Sequence, residues 1–132
     1  MKIAYLGPPG SFSEEALHSD LAFEWAEPVP MSSIASIVRE LVEGGVDKAL
    51  VPTENAIAGR IEATAQALER FPRVVVEREI TLAVHFDLLA VDGTEPDAIR
   101  RVVSFPPATA QCGHFLRARV PAVTIEEADS TS

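Results

Sequence analysis

The stretch Lys48–Gly59, KALVPTENAIAG, decides the fold: an apolar run stops at Pro52 and gives way to Thr53, Glu54 and Asn55 before Gly59. Val46 to Pro52 reads as a buried strand, because a short apolar run bounded by turn-forming residues suits a sheet interior. In open α/β sheets, ligands bind outside the carboxyl ends of the strands. Thr53, Glu54 and Asn55 therefore stand where side chains or backbone amides would meet a small molecule. The same residues could instead cap a helix expected to begin near Ile61, and this segment leaves both readings open.

Upstream, Lys2 to Leu6 predicts a short buried strand, stopped by the dense turn chemistry of Gly7-Pro8-Pro9-Gly10. Ser11 stands three residues before Glu14, the spacing of a capping box, and Phe12, Ala16 and Leu17 supply the apolar stripe of a helix. A strand, a glycine turn and a capped helix together place backbone N–H groups where an anion could dock. The same unit is also a common strand-to-helix connector, so by itself it specifies no function. Ser32 or Ser33 can cap the next helix, whose Ile34, Ile37, Val38, Leu41 and Val42 share one face until Gly44-Gly45 ends it. Ile61 to Phe71 reads as another helix, ending before Pro72. The resulting β-α-(β)-α-β-α order favours a parallel sheet with helices packed on it.

Downstream, VVVEREITLAVHFDLLAV (74–91) is too long for one ordinary strand and predicts two strands meeting near Glu79 to Leu82. Thr94 is expected to start a short helix, and Arg101 to Ser104 to form a strand. Pro107 suits the first turn of a helix running to Arg119, with Ala108, Cys112, Phe115 and Leu116 buried. Ala122 to Ile125 is expected as a last strand.

A chain of 132 residues, 47% hydrophobic, can bury one core or two small lobes and is expected to be a soluble globular protein. Neither a secretory leader nor a membrane span is evident in the sequence. The net charge of −9 disfavours nucleic acid and anionic membranes as partners. A lone cysteine, Cys112, cannot form an internal disulfide, fits a reducing compartment, and on its apolar stripe reads as a packed thiol. His85 reads as a hydrogen-bonded histidine in a buried strand, and His18 and His114 as solvent-facing. Glu126, Glu127 and Asp129 read as a solvated loop, and no metal site is expected.

The segments GPPGSFSEEA (7–16), VPTENAIAG (51–59), AVHFDLLA (83–90) and SFPPATAQC (104–112) each fall at a strand-to-helix junction. Together they resemble prephenate dehydratase. That family's domain shows, in the same order, Gly-Pro-x-Gly-Thr-Phe-Ser, then Val-Pro-Ile-Glu-Asn-Ser-x-x-Gly, a His-containing strand ending Leu-Leu-Ala, and Ser-His-Pro-Gln-Ala-x-x-Gln-Cys. The resemblance covers essentially the whole chain. It implies an α/β fold like class II periplasmic binding proteins, with an interlobe cleft. Residues 1–80 would form the first lobe and residues 81–132 an incomplete second one.

The resemblance further implies a cytoplasmic lyase of phenylalanine biosynthesis, a homo-oligomer, that converts prephenate to phenylpyruvate. No cofactor is implied, because ring aromatisation drives the reaction once hydroxide can leave. The chemistry needs anchors for two carboxylates and a proton donor to the departing hydroxyl. By the match, Ser11, Glu54, Asn55, Ser104, Gln111, Ser130 and Thr131 are the substrate-binding candidates. The departures are all towards apolar groups: Ala56 replaces a serine, Phe105 and Phe86 replace histidines, and Pro107 replaces a glutamine. The family's Thr-Arg-Phe motif, which carries the catalytic threonine, does not occur in these 132 residues, so no catalytic residue is assigned. The sequence is accordingly expected to be a piece of a longer protein. Two other outcomes fit the same motifs: a non-catalytic module binding a small carboxylate such as an aromatic amino acid, and a prephenate decarboxylase that does not aromatise.

Overall fold

The structure is a computed structural model that describes residues 1–56 and 59–128. It divides into two compact units, Met1–Ala83 and Val84–Ser132.

The first unit is built on strand β1 (Lys2–Leu6), which lies between β2 (Glu27–Met31) and β3 (Lys48–Leu50) in an all-parallel sheet of order β2-β1-β3. In register, Ala4 stands beside Val29 on one side and Ala49 on the other. Pro28 and Pro30 lie in β2, an edge strand of this sheet, where a missing N–H breaks no central ladder. Side chains alternate across β1, so its two faces feed different cores. Ile3 and Tyr5 pack with Leu17 of helix α1 (Phe12–Ser19), while Ala4 packs with Ile37 of helix α2 (Ile34–Glu43) and Val46. Helix α3 (Glu62–Arg70) joins α2 through Ala67 against Ile34 and Val38.

The start of α2 is capped by Ser33, whose Oγ accepts from the Ser36 N–H (3.1 Å), which resolves the choice between Ser32 and Ser33. Its end falls at Gly44, whose φ of 79° is the left-handed conformation that glycine adopts without a Cβ penalty. Ile34, Ile37 and Val38 are buried as expected, whereas Val42 is exposed. At 100° per residue, Val42 sits about 90° from the centre of that stripe.

The strand expected over Val46–Pro52 is shorter and only half-buried at Lys48–Leu50. Its continuation is a small antiparallel hairpin of β4 (Glu54–Asn55) and β5 (Gly59–Arg60), in register Glu54 to Arg60 and Asn55 to Gly59. The strands expected within 74–91 do not form among the described residues. Strands require ladder partners, and β-branched composition supplies only the preference for an extended backbone. Val75, Val76, Leu89 and Val91 are consequently exposed, and so is His85, contrary to its reading as a core histidine.

The second unit pairs β6 (Arg101–Ser104) in parallel with β7 (Thr124–Glu127), joined by helix α4 (Pro106–Arg119). Pro106 and Pro107 occupy its first turn, where an N–H would have no intrahelical partner. Ala108, Leu116 and Val120 are buried; Cys112 is half-buried and Phe115 faces solvent, because the buried line runs through 108, 116 and 120. Thr94 starts no helix. A single 3-10 turn, Pro96–Ala98, follows Glu95 instead. Glu126 and Glu127, expected in a loop, belong to β7 and are exposed.

Candidate functional site

Strands β1 and β3 are adjacent and parallel, so their carboxyl ends lie on one edge of the sheet. From that edge leave the Gly7–Ser11 turn, which follows Leu6, and the Pro52–Asn55 loop, which follows Leu50. Ser11, Glu54 and Asn55 are thereby brought to the same edge of the same unit. Ser33, at the carboxyl end of β2, joins them there.

The Gly7–Ser11 turn is held from below. Tyr5, 0% exposed in the middle of β1, donates its hydroxyl to Glu14 Oε1 (2.7 Å). The Gly10 N–H donates to the other oxygen, Glu14 Oε2 (2.6 Å). One carboxylate thus ties the strand, the turn and the first turn of α1 together. Gly10 has φ 83°, a conformation that costs a residue with a Cβ. The capping box expected from the Ser11–Glu14 spacing takes a modified form. Ser11 is the N-cap residue but makes no cap hydrogen bond to the helix; its Oγ donates to the Leu6 carbonyl (3.1 Å). Glu14 reaches back to Gly10 rather than to Ser11, whose own N–H donates to the Pro8 carbonyl (3.2 Å).

These contacts set the local electrostatics. Hydrogen bonding to the Gly10 N–H, and then to Tyr5, holds the Glu14 carboxyl below its ordinary value. Burial, reinforced by the hydrogen bond to Glu14 and its charge, pushes the Tyr5 phenol up to about 12. An anion approaching the start of α1 meets the amides of a helical first turn together with the fixed negative charge of Glu14.

The Pro52–Asn55 loop is tied to α3 at its base. The Ile61 N–H donates to the Thr53 carbonyl (2.9 Å), and Thr64 Oγ1 donates to the Pro52 carbonyl (2.6 Å). Helix α3 begins after Ile61 with no side-chain cap. The N-cap position of α3 is held by Ile61, while Glu54 and Asn55 lie in β4, so neither of them is its N-cap residue. Glu54 is exposed and Asn55 half-buried.

In the second unit, Ser104 ends β6, and its carbonyl accepts from the Ala128 N–H (3.0 Å). Gln111 is half-buried in the second turn of α4. Ser130 and Thr131 lie outside the described residues. A cavity of about 350 Å³ opens along α4 and the approach to β7, lined by Thr109, Gly113, Leu116, Arg117, Val120 and Ile125 among others, and by neither Ser104 nor Gln111. Among the described residues no His, Cys, Asp and Glu cluster could hold a metal ion, and no helix is long and apolar enough to cross a membrane.

Sequence reasoning missed the roles of Tyr5 and Thr64. Thr64 carried a signal, as a hydroxyl placed among the inward-facing positions of α3.

A family model described as prephenate dehydratase matches residues 3–132. The chain is similar to the prephenate dehydratase of Mycobacterium tuberculosis, 33% identical over 140 residues that cover 100% of this chain and 44% of the relative. It is also similar to the prephenate dehydratase of Lactococcus lactis, 35% identical over 132 residues, covering 100% of this chain and 46% of that one. Among solved structures it matches prephenate dehydratase in complex with L-Phe from Arthrobacter aurescens, with a TM-score of 0.86 and 28% identity over 99% of this chain and 43% of the other. The chain spans less than half the length of these relatives.

Proposed function

The chain belongs to the prephenate dehydratase family, and we propose that the protein decarboxylates and dehydrates prephenate to phenylpyruvate in L-phenylalanine biosynthesis. The observation that carries this reading is the meeting of two family motifs, the Gly7–Ser11 turn and the Pro52–Asn55 loop, at the carboxyl ends of the neighbouring strands β1 and β3. Such an edge is where open parallel sheets receive small ligands.

The reaction breaks the bond between the ring and its carboxylate and expels the ring hydroxyl. The electron pair freed by loss of carbon dioxide enters the ring, and hydroxide leaves with one added proton as water. Aromatisation supplies the driving force, so the protein has to bind, orient and donate a proton, and the reading calls for no cofactor. In this proposal the substrate-binding residues are Ser11, Glu54, Asn55, Ser104, Gln111, Ser130 and Thr131. Because the Ser11 hydroxyl already donates to Leu6, the start of α1 would meet a carboxylate through backbone amides. Asn55, uncharged and half-buried, is the better polar contact in its loop; Glu54 would orient it.

We extend the proposal to the architecture: a class II periplasmic-binding-protein-like fold of two lobes, residues 1–80 and 81–132. A cytoplasmic homo-oligomer is part of the same reading. Incubating the full-length protein with prephenate and following phenylpyruvate absorbance tests it. Turnover is expected, with Asn55→Ala lowering kcat/KM at least tenfold. An inactive full-length protein would overturn it.

A second reading, a non-catalytic module for an aromatic amino acid, is favoured by the apolar replacements Ala56, Phe105 and Pro107, all of them exposed. Thermal stabilisation by phenylalanine without turnover of prephenate would select it. Release of carbon dioxide with a non-aromatic product would instead identify the decarboxylase alternative.

A further inference from the structure

Apart from Tyr5, Thr64 is the one buried side chain among the described residues that carries a polar group, 2% exposed on the inward face of α3 beside the buried Ala65 and Ala67. A hydroxyl in such a place costs free energy unless it is hydrogen-bonded, and a valine of the same shape would fill the space without that requirement. The hydroxyl does have a partner. Thr64 Oγ1 donates at 2.6 Å to the carbonyl of Pro52, the residue at which the chain leaves the sheet edge. The Ile61 N–H donates to the Thr53 carbonyl at 2.9 Å, so consecutive carbonyls of the loop are pinned to the start of α3. Directly beyond them come Glu54 and Asn55.

From this geometry we infer that Thr64 is a positioning residue for the prephenate-binding loop. It fixes the direction in which Glu54 and Asn55 leave the sheet, without touching substrate itself. The inference rests on the functional reading above, in which those two residues face substrate. A loop held at its base by α3 keeps its polar groups oriented before substrate arrives, and a small angular error there is amplified at the side-chain tips. A merely structural threonine would affect stability and leave the kinetic constants of the folded enzyme alone.

The test uses the full-length protein with prephenate as substrate. Thr64→Val removes the hydroxyl and keeps the volume; Thr64→Ser keeps the hydroxyl and removes a methyl group. The serine variant is expected to retain kcat/KM within about twofold despite a lower Tm. The valine variant is expected to stay folded and lose about tenfold, mostly as a raised KM, with little further loss when combined with Asn55→Ala. A folded Thr64→Val enzyme with unchanged constants overturns the inference. So does a Thr64→Ser enzyme as impaired as Asn55→Ala, which decides the matter even where the valine variant does not fold. Asn55→Ala measured alongside separates the two levels. If that variant has unchanged constants, the loop is not a substrate contact and the functional reading of the loop fails first. If it is impaired while Thr64→Val is not, only the positioning role fails.

Discussion

Glu14 illustrates how one side chain can be foreseen as a position and missed as a role. Its spacing from Ser11 announced a helix start, but its carboxylate is spent on Tyr5 and Gly10, partners that only the folded turn brings together. Tyr5→Phe removes one of these hydrogen bonds from a buried residue and is expected to cost about 1 kcal/mol in urea unfolding at neutral pH. The pH dependence follows from the direction of each shift. The Tyr5 phenol, with an ordinary value of 10.0 and a folded value of about 12, contributes stability that is complete below pH 10 and is lost as pH rises towards 12. Glu14, held below its ordinary 4.5, contributes stability that is present above that pH and lost as pH falls through its lowered folded value. Tyr5→Phe should therefore flatten the alkaline limb of a stability–pH curve and shrink the acid one. An unchanged alkaline limb would count against the Tyr5–Glu14 bond. The residues of the candidate site divide along the same line: the proposed contacts Asn55 and Ser11 are legible as residues in motifs, whereas the positioning residue Thr64 required knowing which carbonyl its hydroxyl reaches.

Among the elements, α2 was the most fully readable and the 74–91 segment the least. An amphipathic helix carries its own hydrogen bonds, cap and stop, so a serine cap at 32 or 33, the stripe from Ile34 to Val38 and the Gly44-Gly45 stop could be read from local sequence, and the structure chose Ser33. Ile37 is fully buried against Ala4 and Val46, and Ile37→Ala should destabilise the protein by about 2–5 kcal/mol. Ser33→Ala should cost about 1 kcal/mol through loss of the cap. Urea titrations of the two variants check the ranking; a cap loss larger than the core loss would contradict this account of α2. The 74–91 segment differs because a strand's hydrogen bonds go to another part of the chain. Its composition is that of a strand, yet among the described residues it finds no ladder. What holds its first residues is apolar and polar together: Val74 packs on the Ile34–Val38–Ala67 cluster, Lys48 pairs with Glu77, and Arg78 pairs with Asp20 (2.7 Å) and lies over the Phe23 ring.

For the whole molecule, the distribution of buried apolar residues sets the expected order of stability. The clusters around β1, α2 and α3 all lie in Met1–Ala83, while among the described residues the buried hydrophobics of the second unit are Ala108, Leu116 and Val120. Native-state hydrogen exchange should therefore be slowest in β1 and α2 and faster in α4 and β6. Equal protection in the two units would contradict this picture. Ligand sensitivity belongs to the same scale, because prephenate bound at the β1–β3 edge would add protection first to the Gly7–Ser11 turn and the Pro52–Asn55 loop.

The sequence by itself determined the α/β class, the strand at Lys2–Leu6, the helices α1 to α4 with the stops of α2, α3 and α4, and the junction motifs that carry the family resemblance, but not the Thr94 helix. Each of those depends on residues within a few positions of one another: periodicity, caps, glycine and proline. Tertiary structure decided that β1 is the centre of its sheet, that Glu54 and Asn55 pair with Arg60 and Gly59 in a hairpin while Ile61 takes the N-cap of α3, and that His85 faces solvent. It also decided that a buried threonine holds the loop opened at Pro52. Those outcomes turn on pairings between residues far apart in the chain, where a donor's partner is set by the packing of whole elements and not by the neighbours it has in sequence.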